Sequence, residues 1–330
     1  MTLTSQEILH RASPQKIDGK TNEMYLRQIK KTIDRDETKF SVWSGTSSSL
    51  ADCSVMCLHK SNCVSLLYDF TEASCKLFDV IYNADGSVGA EDVVYYTLES
   101  SNNRRVPESC QDLVIFSGAK TDGEYWIYPK ATNGQRIKIY CHDMQFIPSE
   151  YITLRNTNYF IQHDQSNWQL KYIQCQSTIK PPLKTVHFSK VKINIQNMEI
   201  DGNDYQFTSL TGSPTVEYGQ STDCNGESFR NPCPRFSEAV IDTRGTGLIV
   251  DPTITWGVIS GWWAKIENIN RSTDGAQISF ICTGWCGECG PTSGPIILQP
   301  SKEYISATDA KALVCDLDSP ALILPAIIIP

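Results

Sequence analysis

Three cysteine thiols near the end of the chain are close enough in sequence to act together. They are Cys282, Cys286 and Cys289, in the stretch Cys282-Thr-Gly-Trp-Cys-Gly-Glu-Cys289, which we expect to form a glycine-rich turn. Thiols at this spacing could bind zinc, act as a redox pair or form structural disulfides. The first two possibilities imply chemistry, and the third implies a binding module.

The neighbouring residues favour disulfides. A zinc site needs four ligands, and the fourth would have to be Cys315 because no histidine is near in sequence. A redox pair needs a helix amino terminus to lower a thiol pKa, but Gly290 and Pro291 follow the cluster at once and do not continue a helix. We therefore favour structural disulfides. The partners of five cysteines stay open, namely Cys175, Cys282, Cys286, Cys289 and Cys315.

The cysteine content predicts an oxidising compartment. The chain has 13 cysteines among 330 residues, in local clusters with strand-like flanks, a usage typical of secreted proteins. One glycosylation sequon, Asn270-Arg-Ser272, lies in what we expect to be a polar turn and agrees with secretion. The amino terminus lacks the basic and apolar regions of a signal peptide, so we expect a fragment of a longer product. The apolar tail 318–330 is too short to span a membrane.

Catalytic motifs are missing from the sequence. A zincin peptidase requires H-E-x-x-H, and none of the five histidines begins that pattern. His142-Asp143 and His163-Asp164 are adjacent pairs that a strand would point to opposite faces. No G-x-S-x-G motif occurs, and Gly245-Thr-Gly lacks the third glycine of a dinucleotide loop. We expect no enzyme activity and no cofactor in this chain; zinc would be involved only if a peptidase domain existed upstream.

Charge argues against one further class of partner. The formal net charge is −8, from 29 basic and 37 acidic residues. This balance leaves no long-range positive field to attract phosphates, so we expect no nucleic-acid binding.

The first hundred residues predict a small α+β module after a polar segment. Residues 1–36 are expected to be a linker or the tail of another domain, in which 22–34 could form an amphipathic helix. In the module, 37–99, Ser49-Leu-Ala-Asp52 has the form of a capping box, and Cys53 and Cys57 follow on one buried helix face. Strand-like runs begin at Cys63, Cys75 and Val93.

This module resembles the PAN/apple family. The cysteines that carry the likeness are Cys53, Cys57, Cys63 and Cys75, with spacing C-x3-C-x5-C-x11-C. The resemblance implies a helix tied to neighbouring strands by the pairs Cys53–Cys75 and Cys57–Cys63. It also implies extracellular binding of proteins or carbohydrates, without catalysis.

A second, mainly β unit is predicted over 109–317, after a linker at 100–108. Ile137, Ile139 and Cys141 alternate with polar residues, and the alternation in 185–195 changes phase near Ser189 and Lys190 as a bulge would require. Short strand-like runs with turns between them predict a disulfide-rich, all-β, sandwich-like domain without helices. Further strands are expected at 122–128, 151–154, 198–200, 205–207, 238–241, 246–250, 264–266 and 277–282.

Two family resemblances concern this unit. Its opening hairpin resembles the entry strands of fibrinogen-like domains, which implies a Cys110–Cys141 disulfide; Cys224 and Cys233 are expected to close a small loop. The whole unit resembles the GON domain found at the carboxyl end of ADAMTS-type secreted metalloproteases. The residues that carry this likeness are 137–141, 150–154, 188–195, 206–207, 223–224, 233–236, 245–248, 272–275 and 282–294.

Two functional hypotheses follow. The first is a non-catalytic extracellular adhesion or matrix-binding protein that recognises proteins or glycans on a disulfide-stapled scaffold. The alternative is an ancillary carboxyl-terminal region of a secreted ADAMTS-type zinc metalloendopeptidase whose catalytic domain lies outside this chain. Most tryptophans of a β domain are core residues, but Trp262 and Trp263 are neighbours that cannot both face one core, so they form the candidate binding surface.

Overall fold

The computed structural model is mainly β, as predicted, and divides into two compact units. It describes residues 9–11, 16–17, 20–21, 25–29, 41–60, 63–81, 93–98, 104–132, 135–163, 183–211, 216–223, 237–303 and 305–316. The first unit comprises 1–136, 143–148 and 307–330, and the second comprises 137–142 and 149–306.

The first unit contains a six-stranded sheet. Its order is β1-β4-β8-β6-β7-β5, with every described pair antiparallel. These strands are β1 (Leu9–Arg11), β4 (Tyr25–Ile29), β5 (Ser41–Thr46), β6 (Ser65–Asp69), β7 (Ser74–Phe78) and β8 (Val93–Leu98). The other described strands within the residues of this unit are β2 (Lys16–Ile17), β3 (Lys20–Thr21), β9 (Arg104–Arg105), β10 (Gly123–Ile127) and β22 (Cys315–Asp316).

Helix α1 (Leu50–His59) packs on this sheet. It begins as the capping box predicts, because the Asp52 backbone N–H donates to the Ser49 hydroxyl at 3.1 Å. Cys53 and Cys57 lie on its buried face, in a core with Leu66, Leu77 and Tyr96. Cys53 is bonded to Cys75 and Cys57 to Cys63, the same two pairs that the PAN/apple resemblance implies. These bonds fix the helix to strand β7 and to the residues that lead into β6.

The structure corrects the helix considered for residues 22–34. Instead of an amphipathic helix, Tyr25–Ile29 forms strand β4, which pairs with β1 and β8. The apolar spacing in this segment is compatible with a helix. In so short a segment, however, hydrogen bonding to neighbouring strands determines the conformation more strongly than the intrinsic helix propensity does.

The segment around residue 110 contains a short strand and a helix that was not expected. The expected linker 100–108 contributes strand β9, and its Val106 is buried. Cys110 was expected in the opening hairpin. It begins helix α2 (Cys110–Ser117) instead of a strand. The Ser109 hydroxyl accepts from the Asp112 N–H at 3.0 Å, and the Asp112 carboxylate accepts from the Glu108 N–H at 2.8 Å. Gly118, at φ 70°, ends the helix.

The second unit is built on one large sheet. Across it the strands run β19, β20, then β16 and β17 end to end, then β12 and β13, with β14 and β15 on the outer side of β13. Strand β11 pairs with the start of β12, and β18 pairs with β21 as a separate ribbon. The bounds are β11 (Ile137–His142), β12 (Ser149–His163), β13 (Leu183–Asn194), β14 (Glu199–Asp201), β15 (Thr208–Leu210), β16 (Ser221–Asp223), β17 (Ser237–Asp242), β18 (Leu248–Val250), β19 (Trp256–Arg271), β20 (Gln277–Pro291) and β21 (Leu298–Pro300).

The irregularity predicted near Ser189 is present. The register of β12 against β13 shifts between the pairs Thr153–Lys190 and Asn158–Phe188, so several β12 residues oppose Ser189 alone. Burial follows the same change of phase, because Phe188 and Val191 are buried and Ser189 is exposed. The extra residues lie on β12, and they turn Asn158 into the core.

An aromatic triangle forms the centre of this core. The rings of Phe160, Phe188 and Tyr218 are 5.0 to 5.7 Å apart at steep angles, an arrangement that favours edge-to-face contact. The strand predicted at 205–207 is wrong, because Gln206 and Phe207 lie in a turn and strand β15 begins only at Thr208.

Candidate functional site

The predicted cysteine cluster lies in strand β20, not in a turn. Cys282 and Cys289 are disulfide-bonded, with their Cα atoms 5.6 Å apart across a sequence separation of seven. A straight strand would separate them by about 23 Å, at about 3.3 Å per residue. The chain between them must therefore leave the line of the strand and return to it.

The neighbouring strand β19 makes the same excursion. Ile266 pairs with Cys282 and Val258 with Cys289, while Trp262 pairs with Trp285 between them. Residues 283–286 and the β19 residues that face them thus form a two-stranded protrusion whose neck is closed by the disulfide, while Gly287 and Glu288 also pair with Asp223 and Thr222 of β16. We call residues 258–266 and 282–289 together the clamped arch. The tryptophans that the sequence singled out, Trp262 and Trp263, lie within it, and their side chains are outside the described part.

Close backbone packing at Gly287 and a hydrogen bond hold the two strands of the clamped arch together. A Cβ added at Gly287 would lie 2.7 Å from the Ala264 Cβ and 2.8 Å from the Thr283 carbonyl oxygen, so a larger residue does not fit there. The Ser260 hydroxyl donates to the Glu288 carboxylate at 2.7 Å, which joins the two strands of the arch. The glycine content of this segment therefore reflects close backbone approach rather than a phosphate-binding or metal-binding loop.

The arch is anchored in the middle of the sheet. Cys282 also pairs with Ser237 of β17, and Cys289 with Ser221 of β16. The Ser237 hydroxyl donates to the Thr222 carbonyl at 2.7 Å and thereby links the ends of β16 and β17. Both ends of the arch are thus fixed on a buried platform, while Val258 and Ile259 are 39% and 41% exposed.

Buried polar groups around Asn158 form a hydrogen-bonded network that the sequence did not predict. The Asn158 side-chain amide donates to the Tyr218 hydroxyl at 2.6 Å, and its carbonyl oxygen accepts from the Asp242 N–H at 2.9 Å. The Asp242 carboxylate accepts from Asn156 at 3.0 Å and from Arg244. Burial alone would raise the pKa of Asp242, but these hydrogen bonds outweigh it and lower that pKa below its usual value.

The turn that follows β17 explains Gly245-Thr-Gly247. Gly245 has φ 80° and its N–H donates to the Glu303 carboxylate at 2.8 and 2.9 Å. These glycines turn the chain from β17 to β18 and do not form a phosphate loop.

His142 lies in an aromatic cluster. Its ring is 5.0 to 6.4 Å from those of Tyr140, Tyr151 and Phe207, and the Lys190 amino group lies 4.3 Å from the centre of the Tyr140 ring. Such a surrounding favours packing and cation–π contact over a catalytic dyad. The Tyr151 hydroxyl donates to Asp204 at 3.1 Å, and burial together with this carboxylate raises the pKa of Tyr151.

Metal-binding and redox chemistry find no support in the donor groups that are described. Across the described ranges no three His, Cys, Asp or Glu side chains are grouped to hold a metal ion. Cys315, which the sequence offered as a fourth zinc ligand, is a buried free thiol, and burial raises its pKa to about 12. A thiol so far from ionisation is a poor nucleophile and a poor metal ligand at neutral pH.

Several predicted site residues remain to be placed. Cys110 and Cys141 are both disulfide-bonded. Asn270 is at the end of β19 rather than in a turn, and it is exposed. Cys175, Cys224 and Cys233 fall outside the described residues, as does the side chain of Cys286.

Comparison with known proteins identifies the second half of this architecture. The family model of the GON domain matches residues 107–299, from just before α2 to β21. The chain belongs to the GON domain family. The match includes the clamped arch, so the Cys282 to Gly294 segment is part of the family domain, as the sequence resemblance implied.

Relatives of this GON domain are large proteins. The chain is 28% identical over 202 residues to the human protein "A disintegrin and metalloproteinase with thrombospondin motifs 20", which covers 56% of this chain and 10% of that protein. It is 27% identical over 203 residues to the Caenorhabditis elegans protein "A disintegrin and metalloproteinase with thrombospondin motifs gon-1", covering 56% of the chain and 9% of the relative. The chain thus spans about a tenth of the length of these relatives. No solved structure gave a significant match.

One negative finding concerns membranes. In the described ranges, neither α1 nor α2 approaches the length and apolar content that a membrane-crossing helix requires.

Proposed function

We propose that this chain is a non-catalytic ancillary region of a secreted, ADAMTS-type metalloproteinase, and that it attaches the parent protein to extracellular proteins or glycans. The observation that carries the proposal is the GON family match over 107–299, together with relatives whose names place the domain in metalloproteinases. Any zinc would belong to a peptidase domain of the parent, because this sequence has no H-E-x-x-H motif.

The clamped arch is the recognition surface in this proposal. A disulfide at its neck restricts its conformation, so less conformational entropy is lost when a partner binds. It presents exposed Val258 and Ile259, and its strands carry Trp262 and Trp263 in their sequence. Aromatic and aliphatic groups on a rigid protrusion are the groups that supply most of the energy at protein interfaces and that stack on sugar rings.

The first unit extends the same function. Residues 37–99 form a PAN/apple-like module in this proposal, supported by a helix that two disulfides tie to a sheet. The organisation is then a segment 1–36, the module 37–99, a connection 100–108, the GON-like domain 109–317 and the tail 318–330. A module of this kind, preceding the GON domain in the sequence, would add a second contact to the same matrix.

A stand-alone adhesion protein is the second candidate. It is favoured by the fact that the GON match begins only at residue 107, so a different disulfide-bonded module precedes it. Sequencing the transcript upstream of Met1 separates the two candidates, because an H-E-x-x-H motif in the same reading frame supports the proteinase region. A complete frame without that motif supports the adhesion protein.

Binding itself is tested with the full chain, purified from a secretory host and incubated on decellularised matrix from cultured fibroblasts. We expect saturable retention above that on albumin-coated plastic. Treating the matrix with glycosidases or with trypsin before the incubation distinguishes glycan from protein partners. Equal retention on matrix and albumin would contradict the proposed function.

A further inference from the structure

Two lysines lie on the less buried face of the large sheet. Along β11 the burial alternates, so that Lys138 and Tyr140 lie on this face. Tyr140 pairs with Tyr151 of β12, and continuing the same antiparallel register places Lys138 opposite Thr153. Thr153 in turn pairs with Lys190 of β13. Because directly opposed residues share a face, the two lysines flank Thr153 with their backbones about 10 Å apart. We call them the lysine pair.

The ammonium group of Lys190 is held in place without being neutralised. It donates to the Thr153 hydroxyl at 3.0 Å, and it lies 4.3 Å from the centre of the Tyr140 ring and 5.6 Å from that of Phe207. A hydroxyl and aromatic rings attract a cation but carry no negative charge. Phe207 is itself fixed, because its carbonyl oxygen accepts from the Ser189 N–H and from the Ser189 hydroxyl, both at 3.0 Å. Lys190 therefore presents a positioned positive charge, and little side-chain entropy is lost when it binds an anion.

Lys192, two residues further along β13 on the same face, is neutralised by contrast. Its ammonium group lies 3.8 Å from the Asp201 carboxylate and 3.4 Å from the Asp204 carboxylate. Within the part of the chain that the structure describes, neither Lys138 nor Lys190 forms such an ion pair. Two like charges on one face repel each other, and a ligand that carries negative groups relieves this repulsion. The lysine pair is therefore complementary to an anionic ligand.

We propose that the lysine pair binds a sulfated polysaccharide of the extracellular matrix along this face of the GON domain. Each ammonium group donates to a sulfate, and such charge-assisted hydrogen bonds are stronger than those between neutral groups. Two separate cations select a polymer with repeated negative groups over a glycan with a single carboxylate. The rings of Tyr140 and Phe207 are partly exposed beside Lys190 and add apolar surface for the sugar rings. The inference rests on the proposed function, in which extracellular glycans are among the partners, and it adds a surface separate from the clamped arch.

The first experiment measures binding of the full chain, purified from a secretory host, to a size-fractionated heparin oligosaccharide by isothermal titration calorimetry at low salt. Lys138→Gln is the decisive variant, because no hydrogen bond or ion pair of the Lys138 side chain is present among the described residues. We expect about fivefold weaker binding, which corresponds to the loss of one exposed ion pair. Lys138→Arg should bind like the wild type. Lys302→Gln is the matched control, since it removes the same charge from an exposed lysine after β21 and should leave the affinity unchanged.

The second experiment varies the salt concentration and the ligand. The formal net charge of −8 gives the chain no long-range attraction for a polyanion, so binding depends on the local cations. The slope of log affinity against log salt should fall by about one in Lys138→Gln and by about two in Lys138→Gln/Lys190→Gln, because each cation releases counterions from a linear polyanion. The desulfated oligosaccharide should not bind in the same concentration range, and sialyllactose, with one carboxylate, should not compete with heparin. Should the double variant fail to fold, Lys138→Gln alone decides.

Three results overturn the inference. They are a wild type that does not bind heparin, equal affinities of Lys138→Gln and Lys302→Gln for heparin, and equal binding of the sulfated and desulfated oligosaccharides. Purified heparin replaces the fibroblast matrix here, so the two failures are distinguishable. Heparin binding without retention on matrix contradicts the proposed function alone, and retention on matrix without heparin binding contradicts this inference alone.

Discussion

Asn158→Ala should be among the most damaging single substitutions in the large sheet. The Asn158 side chain is fully buried and joins the Tyr218 hydroxyl to the Asp242 backbone N–H, at 2.6 and 2.9 Å. Truncation removes both bonds and leaves two buried polar groups without a partner. Each such group costs about 1 to 3 kcal/mol, so we expect a loss of about 3 kcal/mol in the free energy of unfolding.

Asn156→Ala is the control for this prediction. Asn156 lies two residues away on the same strand and donates to the Asp242 carboxylate at 3.0 Å, but it is exposed, and Arg244 also binds that carboxylate. Its loss should cost about 1 kcal/mol or less. Equilibrium urea unfolding of the oxidised protein, followed by tryptophan fluorescence, measures both values. In a Tyr218→Phe background, Asn158→Ala should cost less, because one of its two partners is already gone.

Equal losses for Asn158→Ala and Asn156→Ala would refute the reasoning. That result would mean that water reaches the Tyr218 hydroxyl or the Asp242 N–H, and that the network is not sealed inside the sheet.

Two further predictions concern acid and the disulfide. Because the pKa of Asp242 is lowered in the folded state, its contribution to stability is complete above the ordinary carboxyl value of 3.8 and is lost as the pH falls through the lower, folded-state value; the urea midpoint should drop in that range, and less so in Asp242→Asn. Replacing both Cys282 and Cys289 by Ala opens a loop with a sequence separation of seven and should cost about 2.5 kcal/mol by loss of chain constraint. Limited proteolysis should then cleave first within the clamped arch, and unchanged cleavage sites would show that the disulfide does not hold it.

The fold class and most strand positions could be predicted from the alternation of apolar residues. The bulge opposite Ser189 could also be predicted, because the sequence shows where the alternation of apolar and polar residues along the strand changes phase. Helix α2 was missed although its signals are local: Ser109, Asp112 and Gly118 provide both ends. The eight-residue helix is too short for an apolar period to stand out, so capping residues were the better guide.

The candidate site was only partly predictable. The cysteine cluster was correctly found to be glycine-rich and without a helix, yet the expected turn is an excursion that two strands make together. Such an excursion depends on the pairing of Val258 with Cys289 and Ile266 with Cys282, which are far apart in sequence. The network around Asn158 could not be predicted from the sequence for the same reason, since its partners Tyr218 and Asp242 lie 60 and 84 residues away.

The central claim, that the clamped arch is the recognition surface, is tested most directly by retention on fibroblast matrix. The full chain is compared with Trp262→Ala/Trp263→Ala, and with Phe146→Ala as a control that removes a 67% exposed aromatic ring elsewhere in the family domain. We predict that the double variant binds about tenfold or more weakly, because losing a hot-spot aromatic residue costs about 2 kcal/mol, and that Phe146→Ala binds like the wild type. Wild-type retention by a folded double variant would contradict the claim.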